Sequence, residues 1–440
     1  MVKNAVSGLN VEPNVPMVTF AIETFLPDAD LTPLKARKQE IYDGLTRAED
    51  KTVKAAASAM LSVQGASYED ALTKANNLFI AKNWGDGLPL WPATRERVDW
   101  MLRGTPLPRT HVIGKFPPRG GIVTVEACAI ALAMTGGRPE YLPVLIAAAD
   151  AFLDPTLRSE LAQATSGAPF PVVVVNGPIA QQIKLNSGFG CLGPDPQYPA
   201  GASIGRALRQ MQQNLGGALP GTGTMAPWGN NRYNNIVFAE DEEGLPEGWP
   251  THAEERHGFA CGSNSVSLFF STGANNIVRR GAMKETKEED AVQGLHRMAG
   301  FLAVPSYHYL HGYEEGTPGA MLLTRVVAGS LASLGWSKPK IREFLVSNSR
   351  IPQEQIKRTG GRAWIEIAHE QSARDSIDMD PWPITSNAQN LILVVAGGGH
   401  PTHAFWLQGN SPAVIGRTMH VPETFDALLD EAGRDLAGGS

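Results

Sequence analysis

Pro171-Val-Val-Val-Val-Asn176-Gly-Pro178 is the stretch from which the fold is read. Its valines form an unbroken β-branched run, too short for a helix and without a polar face, as a strand buried on both sides requires. Asn-Gly-Pro then stops it in a turn. Val266 to Phe270 and Leu391 to Val395 have the same form and end in Ser271-Thr-Gly273 and Ala396-Gly-Gly-Gly399. Helical segments lie around them: Val125 to Met134, Glu140 to Phe152, Ser203 to Leu215, Glu285 to Ala299, Ala320 to Leu334 and Pro339 to Ser347. The pattern predicts an α/β fold of buried strands ending in Gly-rich turns with packed helices. Its loops should gather at strand C-termini, the edge at which open α/β sheets bind ligands.

Upstream, residues 32 to 83 read as a polar N-terminal helical layer, with Thr32 capping before Pro33 and a second helix from Ser67 that lines up Ala71, Ala75, Leu78 and Phe79. Thr94 should cap a short helix that turns Val98, Met101 and Leu102 inward. The expected division is 1–105 as an N-terminal helical region, 106–245 as an α/β region with a Gly-rich anion-binding loop, and 246–440 as a second α/β region. Gly216 to Pro250, rich in Gly, Asn and Pro, marks a boundary or lid. No repeat of fixed period is visible.

The 440 residues carry 38 Lys+Arg against 44 Asp+Glu, a net charge of −6, which excludes a nucleic-acid-binding surface spread over the whole chain. Three scattered cysteines, Cys128, Cys191 and Cys261, form neither a disulfide framework nor a zinc spacing. The first residues lack the pattern of a signal peptide, and apolar runs such as Ala127 to Met134 are far shorter than a bilayer needs. A soluble, cytoplasmic protein without membrane or nucleic-acid partners is expected.

The loop Asn186-Ser-Gly-Phe-Gly-Cys191-Leu-Gly-Pro194 leads to Ser203-Ile-Gly-Arg206. With Ser203 as helix cap, Gly205 would leave first-turn N–H groups open, and Arg206 would add a bidentate donor beside them. Such a site suits a carboxylate or phosphate, with Asn176, Asn186 and Ser187 as further ligands. The alternative is an Arg206 paired with an internal acid. Arg119, between a Pro pair and two glycines, reads as a second anion clamp or a surface turn. Glu126 in an apolar helix is a candidate acid or base, or else pairs with Arg119 or caps the helix N-terminus. Asp86 between glycines is a catalytic candidate or an Asx turn. Cys261, beside Arg256 and His257, is a candidate nucleophile if its thiol is acidified.

His308 and His311 with Glu314 or Glu315, and the pair His400 and His403, have spacings that metals use, yet the tyrosines around the first pair favour a packed aromatic segment, and no metal is expected. The chain contains no G-x-G-x-x-G, no Walker A loop and no G-x-S-x-G elbow, so no cofactor is expected and kinase, dehydrogenase and α/β-hydrolase readings lose support.

At Asn83-Trp-Gly-Asp-Gly-Leu-Pro-Leu-Trp-Pro-Ala-Thr-Arg-Glu-Arg-Val98, Pro117-Pro-Arg-Gly-Gly121, Arg138-Pro-Glu-Tyr-Leu-Pro143 and Ser203-Ile-Gly-Arg206 the chain resembles a poorly characterised bacterial family associated with, or fused to, small UGSC-type thiol or selenol proteins. The resemblance spans most of residues 80 to 275. It implies a cytoplasmic metabolic enzyme or enzyme subunit, with a small UGSC-type protein as partner. Cys261-Gly-Ser-Asn264 has Asn where that small protein's signature has its second cysteine, so it cannot form an internal C-x-x-C disulfide. Residues and resemblance together lead to the expectation of a metabolic enzyme, hydrolase or lyase in class and a homo-oligomer, that cleaves a bond in a small anionic, carboxylate-type metabolite. A non-catalytic subunit that binds substrate for a small thiol protein and a metal-dependent hydrolase are the alternatives.

Overall fold

The computed structural model describes residues 30–46, 60–229, 234–278, 287–303, 319–359, 375, 378–385, 387–410 and 413–438. The chain divides between Ala75 and Asn76 into two units. The first holds α1 (Thr32–Ala36), α2 (Lys38–Thr46) and the start of α3 (Tyr68–Ala81). Thr32 is not a cap: it is the first helical residue, and its N–H donates to the Asp30 carboxylate at 2.9 Å. Ser67 does cap, accepting from Asp70 N–H at 3.2 Å.

The second unit begins, beyond α3, with α4 (Arg95–Leu102), capped by Thr94 as expected, and a hairpin of β1 (Val112–Phe116) and β2 (Gly121–Thr124). Then come α5 (Val125–Met134), α6 (Leu142–Phe152) and α7 (Ser159–Ala164). The α/β body follows as β3 (Phe170–Asn176), α8 (Ile179–Gln182), α9 (Ala200–Asn214), β4 (Ile236–Ala239), α10 (His252–His257) and β5 (Ser265–Val278). After α11 (Lys287–Leu302) come β6 (Gly319–Leu323), α12 (Arg325–Ser333), α13 (Lys338–Asn348), β7 (Arg350–Ile351), α14 (Gln353–Arg358) and β8 (Trp382–Pro383). The chain closes with β9 (Leu391–Val395), β10 (His403–Gly409), β11 (Ile415–Thr418) and α15 (Phe425–Leu436).

A seven-stranded mixed sheet runs in the order β4-β3-β5-β10-β6-β9, with β11 on β5. This order contains a repeat that the sequence does not display. β3 pairs parallel with β4 and antiparallel with β5; β6 pairs parallel with β9 and antiparallel with β10; and β5 meets β10 antiparallel in the middle. Each half is therefore a strand, a helical crossover, a parallel edge strand and an antiparallel return, related by an approximate two-fold axis between β5 and β10.

One face of the sheet curls around Val172, Val174, Phe238, Phe269, Ala320, Leu322, Val394 and Leu407, a single buried cluster fed by both halves. On the opposite face α5, α6 and α9 cover Val173, Val175, Val266 and Leu268, while α11, α12 and α13 cover Met321, Leu323, Leu393 and Trp406. Both faces are buried, which is why the strands read as unbroken apolar runs.

Three expectations change. The run Val266 to Phe270 does not stop at Ser271-Thr-Gly273: β5 continues to Val278 through a register shift opposite Gln408 and Gly409, so these residues form a bulge. Ala320 to Leu334 is not one helix, because Ala320-Met-Leu-Leu323 has no polar face and forms β6, after which Thr324 caps α12. The boundary expected at residue 245 falls inside one sheet, since β3 and β4 precede it and their neighbour β5 follows.

Candidate functional site

The approximate two-fold relates the two ends of the curled face position by position. In the first half the strand registers bring Val174 level with Phe238 and Asn176 level with Ser265, and the next inward position after Phe238 is Glu240. In the second half Leu322 is level with Val394 and Phe405, and the next inward positions are Thr324, Ala396 and His403. Asn176, Glu240 and Ser265 thus correspond to Thr324, Ala396 and His403.

The Asn176 end is filled. Glu240 and Lys338 are both fully buried, 3.5 Å apart. Glu240 also accepts from Asn176 Nδ2 at 2.7 Å and from His252 N–H at 2.6 Å, and Lys338 donates to the Pro250 carbonyl at 2.7 Å. Arg342 grips Glu255 with both ends of its guanidinium, at 2.6 and 2.5 Å. α10 lies over this network, held by a Thr251–Glu254 capping box and by His257 Nε2 against Ser267 Oγ at 2.9 Å. Burial pushes the Glu240 carboxyl up against the pull of Lys338; burial together with Lys338 holds His252 well below the usual imidazole range.

The Thr324 end is open. A cavity of about 470 Å³ lies there, walled by Phe189 to Pro194, Leu322, Thr324, Ala396, Gly397, Phe405 and Asn276, with His400 and His403 among its lining residues. The Gly-rich loop reaches it because Asn186 and Ser187 bridge the sheet edges: Ala239 N–H donates to the Asn186 carbonyl at 3.0 Å, and Gly397 N–H to the Ser187 carbonyl at 2.8 Å. Asn186 spends its side chain on the loop, accepting from Gly188 N–H and donating to the Phe189 carbonyl, each at 2.8 Å. Thr324 Oγ1 donates to the His400 carbonyl at 2.6 Å and accepts from Val327 N–H, tying the turn after β9 to α12. Among the described residues no Lys, Arg, Asp or Glu lines the cavity. Cys191 in its wall is held protonated, its thiol pushed up to about 12 by burial. Gly190, at φ +78°, and Leu192 are both in the cavity wall, and their N–H groups donate to no acceptor among the described residues.

The anion site expected at Ser203 and Arg206 is not assembled. α9 starts at Ala200, so Ser203 lies within its first turn with its N–H already on the Pro199 carbonyl. Gly205 serves close packing instead: a Cβ there would lie 2.2 Å from the Asn235 carbonyl oxygen, and one at Gly201 2.5 Å from that of Val237. Arg206 pairs with Asp86 through both carboxylate oxygens, at 2.7 and 2.9 Å. Burial alone would raise Asp86; Arg206 outweighs it and holds the carboxyl below its usual range. Asp86 also accepts from Leu88 N–H, the Asx turn considered above. Glu126 is half-exposed and paired with Arg109, not with Arg119. Arg119 packs on Gly217, and its guanidinium meets no acid among the described residues. Cys261 is exposed, but its thiol is raised, not acidified, because it faces the Glu254 carboxylate. Asn176 belongs to the filled end, where it donates to Glu240. His308, His311, Glu314 and Glu315 lie outside the described residues.

Among the described residues no group of three or more His, Cys, Asp or Glu is placed to hold a metal ion, and no helix is long and apolar enough to cross a membrane. No protein-family model, curated protein or solved structure matches the chain. Sequence reasoning missed Leu322, Thr324 and Phe405, whose alternation along β6 and β10 is the signal that would have placed them on one face. It picked out the Gly-rich loop and the His400/His403 turn separately, and the fold joins them.

Proposed function

We propose that this chain is an enzyme of small-molecule metabolism, hydrolase or lyase in class, that cleaves a bond in a small carboxylate-type molecule seated in the open-end cavity. The observation that carries this reading is one cavity combining apolar walls, unspent backbone N–H donors and a pair of imidazoles. Leu322, Phe405 and Ala396 would hold the apolar body, Gly190 and Leu192 N–H a carboxylate oxygen, and the imidazoles would move protons, the commonest role of histidine in catalysis. Neutral donors without a fixed cation suit a single negative charge better than a polyphosphate. A subunit that presents substrate to a small thiol or selenol protein would share the cavity but not turnover. The test uses 8-anilinonaphthalene-1-sulfonate fluorescence on the full chain, displacement by small carboxylates, and mass spectrometry for products of the purified protein alone. Ala396→Phe, which fills the cavity, should weaken dye binding at least about tenfold (about 1.4 kcal/mol) with an unchanged circular dichroism spectrum. Undiminished dye binding in that variant overturns the site, and displacement without product transfers the reading to the presenting subunit.

A further inference from the structure

The turn after β9 fixes the hydrogens of its two imidazoles. His400 Nδ1 receives the backbone N–H of Thr402 at 3.3 Å. A backbone N–H only donates, so this nitrogen carries a lone pair, and His400 in its neutral form has its hydrogen on Nε2. His403 Nδ1 lies 2.8 Å from His400 Nδ1. The hydrogen between two such nitrogens must then belong to His403, which leaves its own Nε2 unprotonated. The rings stand nearly perpendicular, 88° apart, and Thr402 Oγ1 lies within 3.3 Å of both Nδ1 atoms, bracing the pair. His403 is half-buried and His400 exposed. The pair therefore offers an unprotonated nitrogen on the half-buried ring and an N–H on the exposed one.

We infer that His403 and His400 form a directional proton relay between the cavity and solvent. The assignment of hydrogens stands by itself, and the relay's catalytic use rests on the reading of the cavity as a catalytic site. His403 Nε2 takes a proton from the bound molecule or from a water attacking it. The Nδ1 proton of His403 passes to His400 Nδ1, and the Nε2 proton of His400 leaves to water. One proton enters and one departs, so the pair's charge is unchanged. In the shifted state the new Nδ1–H of His400 faces the Thr402 N–H, donor against donor, which drives the pair back. Return takes a proton from water at His400 Nε2 and delivers the one on His403 Nε2 to the leaving group. Bond cleavage that needs a base first and an acid afterwards, as in hydrolysis or elimination, is the chemistry this arrangement serves.

The full chain labelled with 15N-histidine, observed by two-bond proton–nitrogen correlation at neutral pH, tests this without any substrate. His400→Gln and His403→Gln assign the signals. The expected result is His403 protonated at Nδ1 and His400 at Nε2. His400→Asn, whose Oδ1 replaces the accepting nitrogen, should keep His403 in its Nδ1–H form, while His400→Ala should release it to the Nε2–H form. His403 found protonated at Nε2 in the unsubstituted protein overturns the relay, even if carboxylates displace the dye. Tautomers as expected in a protein that binds no carboxylate leave the pair standing and remove the cavity's proposed function instead.

Discussion

The two ends of the curled sheet are built on one plan and finished in opposite ways. At one, Asn176 and Glu240 belong to a buried charged network under α10, with Ser265 level with Asn176; at the other, Thr324, Ala396 and His403 face a cavity that no charged side chain lines among the described residues. Lys338, which neutralises Glu240, comes from α13 of the second half, and the Gly-rich loop that walls the cavity comes from the first. Each half thus completes the other's end. The difference shows that an apolar strand pair fixes position, while the first polar residue beyond it decides whether that position becomes structure or site.

Removing one charge at the filled end should have the largest effect. Lys338→Ala leaves Glu240 buried without its cation and should cost about 3–5 kcal/mol in urea denaturation. Thr324→Ala, the matching change at the open end, removes a helix cap and should cost only about 1 kcal/mol. Equal losses would break the contrast between the ends.

Acid provides the intermediate test. Burial first, then Arg256 and Arg417, holds His257 down to about 4, against 6.5 for a free imidazole. The unfolded chain therefore binds that proton before the folded one does, so this contribution is complete above pH 6.5 and is lost progressively as pH falls to about 4. The stability difference between the unsubstituted protein and His257→Gln should shrink from about pH 7 to about pH 4.5, cancelling carboxyl effects common to both. A difference independent of pH would mean that the imidazole is not confined under α10.

The smallest effect is on thiol reactivity. Glu254→Gln keeps the capping box of α10 but removes the charge that raises Cys261, so its alkylation by iodoacetamide should accelerate several-fold. Cys128 and Cys191, each pushed up to about 12 by burial, should stay unmodified in the folded protein. Rapid labelling of Cys191 would show that the cavity wall opens.

The strands at Val172 to Val175 and Leu391 to Val395 were legible in the sequence because burial on both faces leaves an unbroken apolar run, and the helix Val125 to Met134 because apolar residues dominate it. β6 was not, since a run of Ala, Met and Leu has high helix propensity and only pairing with β9 and β10 makes it a strand. The start of α9 was missed because Ser203 looks like a cap although Pro199 already begins the turn. At the site, the Gly-rich loop and the histidine turn were visible as fragments some two hundred residues apart. Their meeting depends on backbone bonds from Ala239 and Gly397 to the Asn186 and Ser187 carbonyls, which no local spacing encodes. Arg206 was read correctly only in its alternative role, as the partner of an internal acid.

The outermost strands, β4 and β9, are where a neighbouring molecule would add itself to the sheet. α9 lies so close along β4 that only glycines at 201 and 205 clear the carbonyls of Val237 and Asn235. On β9 the Leu391 carbonyl is taken by Arg342 Nε at 2.8 Å and the Val395 carbonyl by Asp241 N–H at 2.7 Å. At these positions the bonding capacity that could recruit a foreign strand is spent inside the molecule. A foreign strand approaching β9 at Leu391 or Val395 would first have to displace these internal donors.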